Sequence, residues 1–230
     1  ISAFLALALV ILTYKFTNKL IGRSAAIFSL IISSTSTAYL QFSHFGTFEI
    51  WLAFFSLLMV YLFFLFLKTD RQIYFIVGAS SLGLISALKL SSIVLIIIPA
   101  FIIFIELFKR EKKYLNIKNS LKLFLLLIYF SFTIYFLSSP FNLLDRKSFI
   151  STMKYETGVA LGAIPVFYTG SFYGTAPILF QFEKLLPFLI NPLLTLLSLP
   201  AIFYVFFISL KKKNFETGIV LLSFLTLFVS

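Results

Sequence analysis

Long apolar runs leave a chain few ways to fold, because lipid offers no partner for backbone N–H and C=O groups and each run must satisfy its own, as an α-helix does. Here the runs are Ile1 to Phe16, Ser24 to Leu40, Ile50 to Leu67, Ile73 to Leu88, Leu90 to Phe108, Leu121 to Ser138, Leu185 to Leu210 and Phe215 to Ser230. Runs of about 17 to 25 such residues span a bilayer. The chain is therefore expected to be all-α, a polytopic bundle of about eight transmembrane helices forming one membrane domain over residues 1–230. Composition agrees, with 60% hydrophobic and 12% charged residues against about 45–50% and 25% in soluble domains. The first and last runs have no polar flank of their own, and Ile1 to Phe16 has no basic n-region or cleavage site of the secretory kind. The sequence is accordingly expected to be a piece of a longer protein, truncated at both ends.

Charge placement gives an orientation. Lys15, Lys19 and Arg23 follow the first run, and Lys68 and Arg71 the third. Lys109, Arg110, Lys112, Lys113, Lys118 and Lys122 follow the fifth, and Lys211, Lys212 and Lys213 the seventh. Basic connections face the cytoplasm, so the even-numbered exits should face outward. These are the loop Gln41 to Glu49, the turn at Lys89 and the long stretch Ser139 to Lys184. The net charge of +11 is thereby a topological signal; the lysines do not line one soluble face, and no nucleic-acid partner is expected. Without cysteine, disulfides, thiolate catalysis and cysteine-ligated metals are excluded.

The outward exits hold the residues that chemistry could use. Glu49 stands at the mouth of an uncharged run, where a carboxylate can act as base, ligand or hydrogen-bond acceptor, or simply meet the positive end of its helix. His44, the one histidine, could donate to a phosphate or be a plain interfacial residue. With Glu49 five positions away it makes no metal motif; no structural metal site is expected, and a divalent cation stays open only as a cofactor. Lys89, deep in apolar sequence, must reach an anion or snorkel to the interface. In the long stretch, Asn142 to Thr157 should form a helix on the membrane surface, with Leu143, Leu144, Phe149, Ile150 and Met153 available to one face. Gly158 to Pro177, punctuated by glycine and proline, reads as a loop over the site. Its Tyr168, Tyr173 and Thr175 suit a sugar's faces and hydroxyls, although such aromatics also form interfacial belts. With Arg146 and Lys89 they make up the candidate substrate-binding set.

Three patches carry a family resemblance: Ser43-His-Phe-Gly-Thr-Phe-Glu49, Gly83-Leu-Ile-Ser-Ala-Leu-Lys89, and Pro140-Phe-Asn-Leu-Leu-Asp145 with Thr169 to Pro177 after it. In this order they resemble the GT-C superfamily of polyprenyl-phosphate-sugar-dependent glycosyltransferases, near the dolichyl-phosphate-mannose–protein mannosyltransferases (glycosyltransferase family 39). Glu49 departs from the family's usual Asp, and Gly170-Ser171 from a frequent Arg-Gln. The resemblance implies an inverting, hexosyl- or mannosyltransferase-like enzyme of the plasma membrane, with its site on the outer face. It would use a lipid-linked sugar as donor and a protein, lipid or glycan as acceptor. It also implies a principal catalytic carboxylate in a loop upstream of Ile1, so that Glu49 and His44 are secondary catalytic candidates and residues 1–230 alone should be inactive. The competing function is a transporter or flippase of a lipid-linked sugar, whose charges would lie nearer the bilayer midplane.

Overall fold

The computed structural model describes residues 1–108, 116–172, 174–212 and 215–229. The expectations for Lys109, Arg110, Lys112, Lys113, Tyr173, Lys213 and Ser230 lie outside them. Helix follows helix, with no strand among the described residues: α1 (Ser2–Leu20), α2 (Arg23–Ser34), α3 (Thr37–His44), α4 (Glu49–Thr69) and α5 (Gln72–Leu88) come first. A 3-10 stretch (Leu90–Ile96) then leads into α6 (Ile97–Phe108), followed by α7 (Ile117–Ser138), α8 (Phe141–Leu144) and α9 (Arg146–Ala160). A 3-10 turn (Phe167–Phe172), α10 (Pro177–Phe180), a π turn (Gln181–Leu185), α11 (Leu186–Leu189), α12 (Pro192–Lys212) and α13 (Phe215–Val229) complete the chain.

Among the described residues, five segments are long and apolar enough to cross a membrane: Ser2–Leu20, Glu49–Thr69, Leu90–Phe108, Ile117–Ser138 and Pro192–Ser209. The bent pair α2–α3 makes a sixth if it is one span. The polytopic helical bundle is thus observed, whereas the count of about eight is not reached by length, since Gln72–Leu88 and Thr217–Thr226 are short. Two boundaries also differ from expectation. The run Ser24 to Leu40 breaks at Thr35–Ser36 with a 51° bend. There Ser33, Ser34 and Thr35 turn their hydroxyls onto carbonyls of the preceding turn, which competes with the ladder and bends helices. The run Leu185 to Leu210 breaks before Pro192, because a residue preceding proline is pushed out of the α region. Asn191 then caps the new helix, its side chain accepting from the Leu193 N–H at 2.9 Å.

α4 lies at the centre of the core. Two residues, Asp70 and Arg71, reverse the chain into α5; Asp70 takes the left-handed conformation (φ 53°) that such a tight helix end needs. The two helices run antiparallel, with Phe75 of α5 meeting both Phe63 and Phe66 at ring separations of 5.4 and 5.2 Å. Each such pair contributes about 0.5–1.5 kcal/mol. In hydrocarbon, packing of this kind rather than escape from water holds helices together. α1 lies parallel to α4: Ala6 and Leu9 cluster with Ile50 near one end, and near the other the Lys68 Nζ donates to the Lys19 carbonyl. α7 runs parallel to α5, as Lys122 Nζ–Gln72 Oε1 (2.8 Å) and Ser131 Oγ–Ala79 O (2.9 Å) fix. α6 runs back between them in sequence, its Glu106 accepting from Asn119 Nδ2.

These directions sort the polar and charged residues. Lys19, Lys68, Gln72, Glu106 and Lys122 share one end of the bundle. Glu49, Lys89 and the connection from α7 to α9 share the other.

Candidate functional site

Glu49 is the first residue of α4, set beside the unpaired N–H groups that make a helix start electropositive. One of its oxygens, Oε2, is buried and has no hydrogen-bond partner, although buried polar atoms are nearly always paired. It can accept a proton donor from a ligand. Ile50, just after it, is clamped between Ala6 and Leu9 with Tyr39 and Phe42 of α3 alongside, so the start of α4 is held against α1 and α3.

His44 ends α3 and is exposed. Its Nδ1 lies 2.7 Å from the Leu40 carbonyl and 3.2 Å from Ser43 Oγ. Because a carbonyl only accepts, Nδ1 carries the proton in that contact. Among the described residues no group of three or more His, Cys, Asp or Glu converges to hold a metal ion, and Glu49 with His44 do not make such a set.

Lys89 closes α5 in an extended conformation (φ −149°, ψ 112°) and is exposed. The α-helix does not resume until Ile97, and Pro99 then falls in its first turn, where the N–H it lacks has no intrahelical partner to lose. The neighbours of Lys89, Ser86, Ala87 and Leu90, line two adjoining cavities. The first, about 470 Å³, is an apolar slot between α5, the 3-10 stretch, α7 and the start of α9. Its floor is the contact of Gly83 with the α7 backbone, and Arg146, Asn142 and Tyr135 stand at its edge. The second, about 380 Å³, is more polar and includes Asn142, Asp145, Ser148 and Thr152.

α9 starts where the sequence changes character. Asp145 caps it, Oδ1 accepting from the Ser148 N–H at 3.2 Å, and bonding to Ser148 holds the Asp145 carboxyl below its ordinary range. The segment Asn142 to Thr157 is helical as expected, as α8 and α9, carried three residues further. Phe149 and Ile150 face the slot and Met153 the second cavity, whereas Leu144 is exposed.

The candidates therefore fall into two groups at one end of the bundle. Arg146 lines the first cavity; Lys89 lines neither, although its chain neighbours Ala87 and Leu90 do, and Glu49 and His44, at the junction of α3 and α4, line neither as well. Tyr168 lies in the 3-10 turn Phe167–Phe172, and Thr175 in the exposed stretch after it. Reading the sequence missed Ser86, Asn142 and Asp145. Ser86 was in view within the patch from Gly83 to Lys89, where its i+3 spacing from Gly83 puts both on one helix face.

A sequence profile of the family described as dolichyl-phosphate-mannose-protein mannosyltransferase matches residues 1–136. No curated protein and no solved structure matches the chain.

Proposed function

Because the chain belongs to the dolichyl-phosphate-mannose-protein mannosyltransferase family and is a membrane glycosyltransferase, we propose that it moves a sugar from a polyprenyl-phosphate donor to a protein, lipid or glycan acceptor at the outer membrane face. The observation that carries this reading is that Glu49, Lys89 and the α7–α9 connection share the end of the bundle opposite Lys19, Lys68 and Lys122. The positive-inside rule makes the latter end cytoplasmic.

The acceptor oxygen attacks the sugar carbon. Its proton passes to a carboxylate base, and the bond to phosphate breaks with its electron pair on the leaving oxygen. Lys89 supplies the positive charge that stabilises this developing anion. Glu49, through its unpaired Oε2, accepts from a sugar or acceptor hydroxyl, and His44 positions the same groups. Tyr168, Tyr173 and Thr175 are the candidates for contacting the sugar, while Arg146 assists with the phosphate. Nothing favours a transporter: the charges in question stand at helix ends, not midway along broken helices.

The test is donor turnover by the full-length protein in nanodiscs. Lys89→Ala should lower kcat/KM for the lipid-phosphate sugar by about 10²-fold or more, the scale of losing one group that stabilises transition-state charge. Lys89→Arg should retain part of the activity, keeping charge but not geometry. Equal turnover by wild type and Lys89→Ala would reduce Lys89 to a snorkelling residue.

A further inference from the structure

α7 begins at the basic end of the bundle, and on its flank Lys118, Leu121, Lys122, Leu125, Leu126 and Tyr129 line a shallow depression of about 400 Å³. Positions 118, 122, 125 and 129 recur at the spacing that sets residues in one stripe along a helix. The stripe is ordered by chemistry, with two exposed lysines at the basic end, leucines next and an exposed tyrosine last. Cα–Cβ bonds tilt toward a helix's N-terminus, here the basic end, so these side chains lean toward the headgroups on that side.

The two lysines lack a neutralising partner. Lys122 Nζ donates to the uncharged Gln72 side chain at 2.8 Å, and among the described residues neither Lys118 nor Lys122 pairs with a carboxylate. Glu106, buried in α6, accepts from Asn119 Nδ2 instead. Lys68, at the same end, differs from both: it donates to the Lys19 carbonyl and stands 4.8 Å from the Phe64 ring centre. The Lys122–Gln72 bond also shows that the starts of α5 and α7 lie side by side, and each adds the partial positive charge of a helix N-terminus.

From this geometry we infer that the flank of α7 holds one anionic phospholipid of the cytoplasmic leaflet. Its phosphate lies between the Lys118 and Lys122 ammonium groups, and an acyl chain runs along Leu125 and Tyr129. The two lysines are one turn apart, about 6 Å along the axis, within reach of a single phosphate for side chains of that length. Tyr129 stands about 10 Å further along, where chain has replaced headgroup. The basic end is cytoplasmic by the positive-inside rule, and anionic lipids make that leaflet's surface negative. The site is at the opposite end of the bundle from Glu49 and Lys89 and is independent of the donor. A lipid seated there braces α7 against α5 through Lys122 and Gln72.

The experiment uses the full-length protein in phosphatidylcholine nanodiscs with a trace of phosphatidylglycerol whose acyl chain carries a photoreactive diazirine near the glycerol. Crosslinks should map to α7 between Lys118 and Tyr129, and unlabelled phosphatidylglycerol should compete where inorganic phosphate does not. Lys118→Gln should lower labelling about fivefold, and Lys118→Gln with Lys122→Gln about thirtyfold, the scale of removing one and two basic residues from an anionic surface. Arginine at both positions should restore it, because the charge persists. Lys15→Gln with Lys19→Gln removes as much charge near the same end and should label as wild type. The proposal is overturned if crosslinks map elsewhere, or if inorganic phosphate displaces the probe, which would make this a site for free phosphate. It is equally overturned if the Lys15 and Lys19 variant loses as much labelling as the Lys118 and Lys122 variant, since the attraction would then belong to the whole basic face.

Discussion

Replacing Gly83 by alanine tests the packing that shapes the slot. A Cβ at this position would lie 2.3 Å from the Ser131 carbonyl oxygen and 3.0 Å from its carbon, all backbone. No side chain can swing aside, so α5 and α7 must part by about 1 Å to restore ordinary contact near 3.4 Å. Overpacking of this kind costs about 1–3 kcal/mol. The separation also stretches the 2.9 Å bond from Ser131 Oγ to the Ala79 carbonyl, worth about 0.6 kcal/mol in membrane bundles. Together they predict a loss of about 2–3 kcal/mol. At roughly 2–4 °C per kcal/mol for a chain of this size, Tm should fall by about 5–10 °C in a thermal unfolding series on the full-length protein. Gly46→Ala, where an added Cβ meets nothing within 4 Å, is the control and should leave Tm unchanged. Should Gly83→Ala unfold within about 1 °C of wild type, the helices are not in the contact described and the shape of the slot is wrong with it.

Two further outcomes follow from the outer segment. The folded Asp145 carboxyl is held below its unfolded range by Ser148, so its contribution to α9 is complete above the unfolded value and fades as pH falls through the folded one. Hydrogen exchange should therefore show the Ser148 amide losing protection below about pH 4 in wild type, and a flat profile in Asp145→Asn, an equally good but uncharged cap; a flat wild-type profile would remove the cap. If the stretch from Gly158 to Pro177 covers the site, alanine at Tyr168 and Tyr173 should raise donor hydrolysis relative to sugar transfer by several-fold, since a lid excludes water. Unchanged rates for both reactions would make it an interfacial belt.

The helices themselves were legible because hydrophobic length is a strong signal in lipid. Ile50 to Leu67 and Leu121 to Ser138 fall inside α4 and α7, and the charge pattern anticipated which ends lie together. What stayed hidden depends on side chains answering one another. The bend at Ser36 needs three hydroxyls to fold back at once, and Ser36 itself donates to the Leu189 carbonyl, 153 residues away. Pro192 was visible, yet the continuous apolar run around it masked the break it imposes. Glu49, His44 and Lys89 could be named from their odd placement in apolar sequence. Ser86 could not, because serine is common in such helices and only its place beside two cavities, together with a missing partner, distinguishes it.

The 3-10 stretch after Lys89 also sets a depth. Seven residues rising about 2.0 Å each and twelve rising about 1.5 Å carry Leu90–Phe108 over roughly 32 Å, enough to cross a hydrocarbon layer of about 30 Å. The seventeen residues of α5 reach only about 26 Å. With a basic end anchored at one interface, a helix of that length would stop short of the other, which would put Lys89 and the slot beside it a few ångströms beneath the level of the lipid headgroups. A bilayer meets such a shortfall by thinning locally. Membrane thickness thus becomes a variable of this enzyme: thicker bilayers would sink Lys89 further from water, and thinner ones would bring it to the surface.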